Sequence, residues 1–279
     1  MDGTPLAGPA SGHREPPVGL PVGLRIGELA PGDFAQQHQD GAEAVVVLLG
    51  GRCDVDFDGP GPHWPGLGAR ADVFDGRATA FYAPAGRRWR ITAGPAGVRY
   101  AVATAPAGTP REPYLVTPDG VRAERRGTGV WAREVHDIVG PDRPADGLLV
   151  GETFSAEGVW SSYPPHKHDR HDPPFESHQQ EAFHVRVSPP SGFGLLVHYP
   201  SVAADRRATV VQDGDVVAVR EGFHSFVAAA GHRFYYLWAL AGTERHLCFR
   251  TDPRHAWLLP AGEDGRAPDD APAADGGPA

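Results

Sequence analysis

The sequence predicts an all-β chain made of two antiparallel β-barrel or jelly-roll units of similar design. Thirty-six Gly and 29 Pro stand against a single Met, and Gly and Pro punctuate strands while interrupting helices. Apolar or alternating runs recur at intervals of roughly ten residues, the spacing of sandwiches and small barrels. A length of 279 residues is enough for two units of about 100 to 150 residues, each with a core.

The first unit is assigned to residues 20–107. AEAVVVLLGGRCDVDF, from residue 42, gives a buried apolar run and a Gly-Gly break. Cys53, Val55 and Phe57 then alternate with Asp54, Asp56 and Asp58, which reads as a hairpin. ADVFDG, ATAFYAPAG, RRWRITAG and VRYAVATA continue the rhythm. Residues 108–147 carry closely spaced turn residues and short apolar pieces, and are read as a connecting segment holding the domain junction. LLVGETFS, GVWSSYPPHKHD, EAFHVRVS, FGLLVHYP, ATVVQDGDVVAVR, HSFVAAAG, HRFYYLWALAG and RHLCFRT then build a second unit over residues 148–259. Residues 1–19 and 260–279, rich in Pro, Gly, Ala and Asp, lack the apolar residues that would offset ordering entropy and are expected to be disordered.

A formal charge of -9 offers no basic face on which phosphates could release counterions, so nucleic acid is not an expected partner. No apolar run approaches the roughly 18 residues that span a bilayer, and the N-terminus lacks the hydrophobic region of a secretion signal. A cytoplasmic protein without a membrane partner is expected. Cys53 and Cys248 match no metal spacing and read as free thiols in a reducing compartment.

Histidines carry the chemistry. Five of the 14 fall between His166 and His184. In a strand, side chains at i and i+2 share a face, so His166 and His168 can converge on one ion while Lys167 points away. Glu181 opens the strand-like EAFHVRV, and His224 ends the hairpin that begins at Gly214, so neighbouring strands can deliver a carboxylate and a third imidazole. This ligand set suits one divalent ion among Zn, Mn, Fe, Ni and Co without choosing between them. A surface or core role for these histidines would make Glu181 and the Gly214 to His224 arrangement coincidences. His171, His178, His184 and His198 lack a spacing argument and read as loop or pocket-wall residues. In the first unit PAGRRW puts Arg87 and Arg88 where a histidine would be needed, and His38 and His63 read as loop residues, so that barrel is expected to be metal-free.

SSYPPHKHD (161–169), GFG (192–194), DGDVV (213–217), GFH (222–224), YYL (235–237) and DPRHAW (252–257) resemble the 5-deoxyglucuronate isomerase family of myo-inositol catabolism. LLGGRCDV, RADVFDG, RRGTGVWAREVHDI and ADGLLVGETF extend the resemblance over about residues 20 to 259. It implies a bicupin fold, a metal in the C-terminal cupin on His166, His168, Glu181 and His224, and isomerisation of an aldehyde-bearing uronate to a ketose. In such a reaction a divalent ion can bind adjacent carbonyl and hydroxyl oxygens while a base shuttles the proton. Glu181, Tyr163, His184 and Tyr236 are the catalytic candidates; Lys167 and Asp169 are further candidates for the base, Lys167 being disfavoured by its direction.

The sequence departs from the family pattern around the pocket. Gln180, Ala182, Phe183 and His184 flank Glu181 where the family has Glu-Glu-x-Tyr-Tyr, and Leu196 and Val197 stand for a Gln-Arg pair. Trp238 replaces an Asn and Arg220 a Pro. The expected partner is therefore a small sugar or uronate-like molecule of open identity. A redox cupin using Fe(II) and a non-catalytic sugar-binding bicupin are the alternative functions. A homo-oligomer is compatible with the sequence.

Overall fold

The computed structural model describes residues 21–38 and 40–259; both termini expected to be disordered lie outside that range. The first sheet contains β1 (Gly23–Leu29), β2 (Phe34–His38), β3 (Ala42–Phe57), β4 (His63–Leu67), β5 (Thr79–Ala83), β6 (Arg88–Pro106) and β7 (Tyr114–Val116). Its order is β1-β6-β3-β5-β7, with β2 also on β6 and β4 on β3. The two long strands pair from Ala42↔Pro106 to Phe57↔Trp89, with register breaks at Gly50 and after Gly51. Gly51 has φ +89, and a side chain there would meet the Gly97 carbonyl at 2.3 Å, so glycine is required where the sheet folds over.

Either side of that fold the strand is buried differently. Before it, Val45, Val47 and Leu49 enter one apolar cluster while Ala44, Val46 and Leu48 enter another, so both faces are covered and the sequence is continuously apolar. After it, Cys53, Val55 and Phe57 point inward and the aspartates outward, as their alternation predicts. Phe57, Phe81, Trp64 and Trp89 fill this barrel with edge-on and tilted ring contacts, the Phe81–Trp89 centroids lying 5.2 Å apart.

The second half contains β8 (Arg122–Arg126), β9 (Arg133–Val139), β10 (Leu149–Ser155), β11 (Trp160–Lys167), β12 (Asp169–Asp172), β13 (Glu176–Ser188), β14 (Phe193–Tyr199), β15 (Arg207–Gln212), β16 (Val216–Val219), β17 (Phe223–Ala228), β18 (Arg233–Gly242) and β19 (Arg250–Thr251). One sheet runs β12-β13-β18-β10-β9-β8 with β16 on β13; the facing sheet runs β15-β14-β17-β11-β19. Phe234, Tyr236, Trp238 and Leu240 of β18 fill the space between these sheets. Tyr235, Leu237, Ala239 and Ala241, on its other face, join Val45 and Val47 in the cluster between the two halves. Residues 108–147 contribute one strand to the first half and two to the second: β7 pairs β5, and the β8–β9 hairpin extends the sheet of β10.

Buried polar groups join the halves as well. The guanidinium of Arg70 ion-pairs with Glu152 and donates to Leu48 O and Gly76 O at 3.1 and 3.0 Å. Tyr235 also donates to Glu152, at 2.7 Å. Glu43, fully buried, accepts from the Tyr82 hydroxyl and from the amides of Asp146, Gly147 and Leu148 at 2.7 to 2.8 Å. These carboxylates are buried with hydrogen-bond partners, as low dielectric requires.

Candidate metal centre

The sequence of β11 explains how the centre forms. Pro164 and Pro165 have no N–H to offer a central strand, and the pairing with β17 jumps from Ser161↔Phe226 to His166↔His224. The surplus residues bulge. Ser162 there takes φ 50, a left-handed conformation that L-residues adopt at a cost. The bulge brings Ser162, Tyr163 and Pro164 to the wall of a cavity of about 820 Å³, together with His166, His168, Glu181 and Tyr236.

His166, His168 and His224 each place a ring nitrogen within 4.8 Å of the others. Glu181 Oε2 lies 3.1 Å from His168 Nε2 and 3.3 Å from His224 Nε2. The other ring nitrogens settle the tautomers. Nδ1 of His166, His168 and His224 lies 3.3, 3.0 and 3.2 Å from the carbonyls of Pro164, Gln179 and Gly222. A carbonyl can accept but not donate, so each Nδ1 carries the hydrogen and, in the neutral imidazole, each Nε2 keeps its lone pair for the centre. Three such lone pairs around a carboxylate fit a divalent cation.

Electrostatics point the same way. Burial opposes ionisation of Glu181, but hydrogen bonds and charge from His168 and His224 outweigh it and hold the carboxyl at about 2. Burial, then the neighbouring His224 and His168, push His166 well below the ordinary histidine range. Burial would also lower His168, but Glu181 reverses the direction and raises it. A proton shared by His168 and Glu181 therefore competes with a metal for the same lone pairs.

The remaining candidates separate by location. Tyr163 and Tyr236 line the cavity, and the Tyr236 hydroxyl is held by Ser161 Oγ at 2.6 Å and Ser162 Oγ at 3.0 Å. His184 is not brought there. Strand alternation sends Glu181, Phe183 and Val185 to the inner face of β13 and His184 to the opposite one, where Ala182 joins the core between the halves. Lys167 does point away from the histidines, donating to Asp169 and Glu176 at 2.6 and 2.7 Å. Asp169 accepts in turn from the Gly222 amide at 2.6 Å. Lys167 and Asp169 thus brace the backbone that carries His166, His168 and His224, away from the cavity.

The substrate-wall expectation needs correction too. Leu196 is buried in the core between the sheets, and neither it nor Val197 lines the cavity. Both belong to β14, where they pair with Phe226 and Ser225 of β17. Of the departures from the family pattern, Trp238 does reach the wall. Arg133, Arg125, Trp131 and Thr153 line it as well. The first three come from a charged, Gly-containing stretch that periodicity assigns to a linker; the REVHDIV alternation was the available signal.

Known proteins resemble this chain in sequence and fold. The chain is 36% identical over 239 residues to the 5-deoxy-glucuronate isomerase of Geobacillus thermodenitrificans, covering 85% of this chain and 86% of that protein. It is 34% identical over 242 residues to the Listeria monocytogenes protein of the same name, covering 85% and 87%. An IolB-like protein from Salmonella typhimurium superposes with a TM-score of 0.82 at 32% identity, over 85% of this chain and 89% of that one. A Lactobacillus farciminis oxalate decarboxylase superposes with a TM-score of 0.59 at 10% identity, over 86% and 81%, a likeness of fold alone that marks the all-β architecture as bicupin. The KduI/IolB family profile matches residues 14–258, and with it the chain belongs to the KduI/IolB family.

Proposed function

We propose that this protein is a metal-dependent aldose–ketose isomerase acting on 5-deoxy-glucuronate or a closely related sugar acid. His166, His168, Glu181 and His224 would hold one divalent ion, drawn from Zn, Mn, Fe, Ni and Co. The observation that carries the reading is the set of three Nδ1–H groups fixed on backbone carbonyls, which leaves three lone pairs beside the Glu181 carboxylate. Relatives named as isomerases at 34 to 36% identity support the reaction class.

When bound, the ion supplies Lewis acidity to a carbonyl and its neighbouring hydroxyl. The protein supplies the rest. Aldose-to-ketose conversion removes a proton from the carbon beside the aldehyde and returns one to the former aldehyde carbon, with no net change in atoms or electrons. Tyr236 is the group assigned to hold that proton, because its hydroxyl has a fixed position from Ser161 and Ser162 and faces the cavity. Tyr163, on the bulge beside it, is a second phenol that can orient substrate hydroxyls. The apolar part of the wall, Trp238, Leu247 and Phe249 among it, excludes water from the reacting carbons.

The test is metal analysis of the purified protein followed by proton NMR with 5-deoxy-glucuronate in D2O. One ion per chain, conversion to a ketose and incorporation of solvent deuterium are expected, with loss of turnover on chelation and recovery on metal return. Oxygen uptake with Fe(II) and an oxidised product would overturn the isomerase reading, as would full turnover by metal-free protein.

A further inference from the structure

The chain is acidic overall, yet one wall of the metal cavity is basic: Arg122, Arg125, Arg126 and Arg133 all line it. They come from the β8–β9 hairpin, whose loop places Arg126 and Arg133 directly opposite each other. Like charges at such a position repel. Arg122 is matched by Asp137 at 3.1 Å and Arg126 by Glu124 at 3.2 Å. Arg133 differs. Its Nη1 donates to the carbonyls of Trp131 and Tyr163 at 3.5 and 3.3 Å, and among the described residues it has no carboxylate partner. Burial lowers its pKa below the ordinary guanidinium value, and Arg126 adds to that effect.

A partly buried cation beside another cation, without a counterion, is costly unless an anion completes it. Two carbonyl contacts leave part of its five-donor fork free, and a planar fork matches a carboxylate. The position suits the rest of the site: Arg133 holds the carbonyl of Tyr163, three residues before His166 on β11. At a rise of about 3.3 Å per residue, that is within about 10 Å of strand. We propose that Arg133 is the carboxylate-binding residue of this cavity, taking the acid group of an open-chain sugar acid while the carbonyl end faces His166, His168, Glu181 and His224. This deepens the isomerase reading above and rests on it for the direction of the substrate.

Binding rather than turnover separates the two. Trp131 and Trp238 line the cavity, so quenching of tryptophan fluorescence in the full chain, as purified with its metal, reports ligands. The probes are glucuronate and its neutral counterpart glucose, with wild type, Arg133→Met and Arg133→Lys. Wild type is expected to prefer glucuronate, and Arg133→Met to weaken glucuronate about ten- to a hundredfold, the range of a charge-assisted hydrogen bond, with glucose unchanged. Arg133→Lys should recover part of the loss, because it restores charge without the fork. The proposal is overturned if wild type does not discriminate, if Arg133→Met binds glucuronate as well as wild type, or if both sugars weaken equally. The last result would make Arg133 a prop for the Trp131 and Tyr163 carbonyls. Arg133-dependent glucuronate binding in a protein that isomerises no sugar acid would retain the subsite and sink the isomerase reading.

Discussion

At the scale of single residues, the centre depends on which nitrogen of each imidazole is free, and the carbonyls of Pro164, Gln179 and Gly222 decide that. Groups that merely orient a metal ligand are worth about 10- to 100-fold in affinity, so removing a ligand should cost more. His224→Ala is expected to lower metal affinity by more than about 100-fold, read by metal titration, while the circular-dichroism sheet signal persists. Loss of the sheet signal would mean the ion is structural. Lys167 provides the contrast. Its ammonium is buried between Asp169 and Glu176, and breaking a buried pair costs about 3 to 5 kcal/mol. Glu176 keeps Arg250 Nε at 3.1 Å and the amides of Asp169 and Arg170 at 2.9 and 3.0 Å, so Lys167→Met should cost less than that range, about 2 to 3 kcal/mol by urea unfolding. A Lys167→Met protein of full stability and no turnover would instead make Lys167 the base.

At the scale of elements, the β11 bulge turns a stretch with two prolines into part of the cavity wall. Ser162 sits at φ 50, and that conformation costs an L-residue about 1 to 2 kcal/mol that glycine does not incur. Ser162→Gly should therefore be more stable than Ser162→Ala by about 1 kcal/mol. Both lose the contact to Tyr236, so both should lose turnover alike; equal stabilities would mean the backbone relaxes when the hydroxyl is removed. That His166 and His168 come together was legible because side chains at i and i+2 of a strand share a face. His184 was not: β13 is apolar on both faces, and a run covered on both sides carries no alternation to say which face holds the site. Arg133 was obscured for the opposite reason, since RRGTGVWARE has the composition of a linker, and its role appears only when β9 pairs with β10.

At the scale of the whole molecule, the first barrel stands behind the sheet that carries Glu181 and Tyr236. Alternate residues of β18 face the cavity side and the first barrel, so the strand that carries Tyr236 and Trp238 is packed from behind by the other half. The sequence suggested one architecture used twice, but the shared core depends on distant residues meeting, which no local period encodes. Arg70 and Glu152 test how far the halves stand or fall together. Both side chains are almost fully buried, at 2% and 0% exposure. Arg70→Met would leave Glu152 with Tyr235 as its remaining close partner and His136 Nδ1 at 4.0 Å. An uncompensated buried carboxylate of this kind costs about 3 to 5 kcal/mol, and in a chain of this size each kcal/mol moves Tm by about 2 to 4 °C. A fall of about 6 to 20 °C is therefore expected in a thermal melt, as a single transition in which fluorescence of the first-barrel tryptophans and loss of bound metal coincide. If the first barrel melted separately and the metal were retained to the wild-type temperature, the buried pair would matter to one half alone. The packing behind β18 would then contribute nothing to the centre.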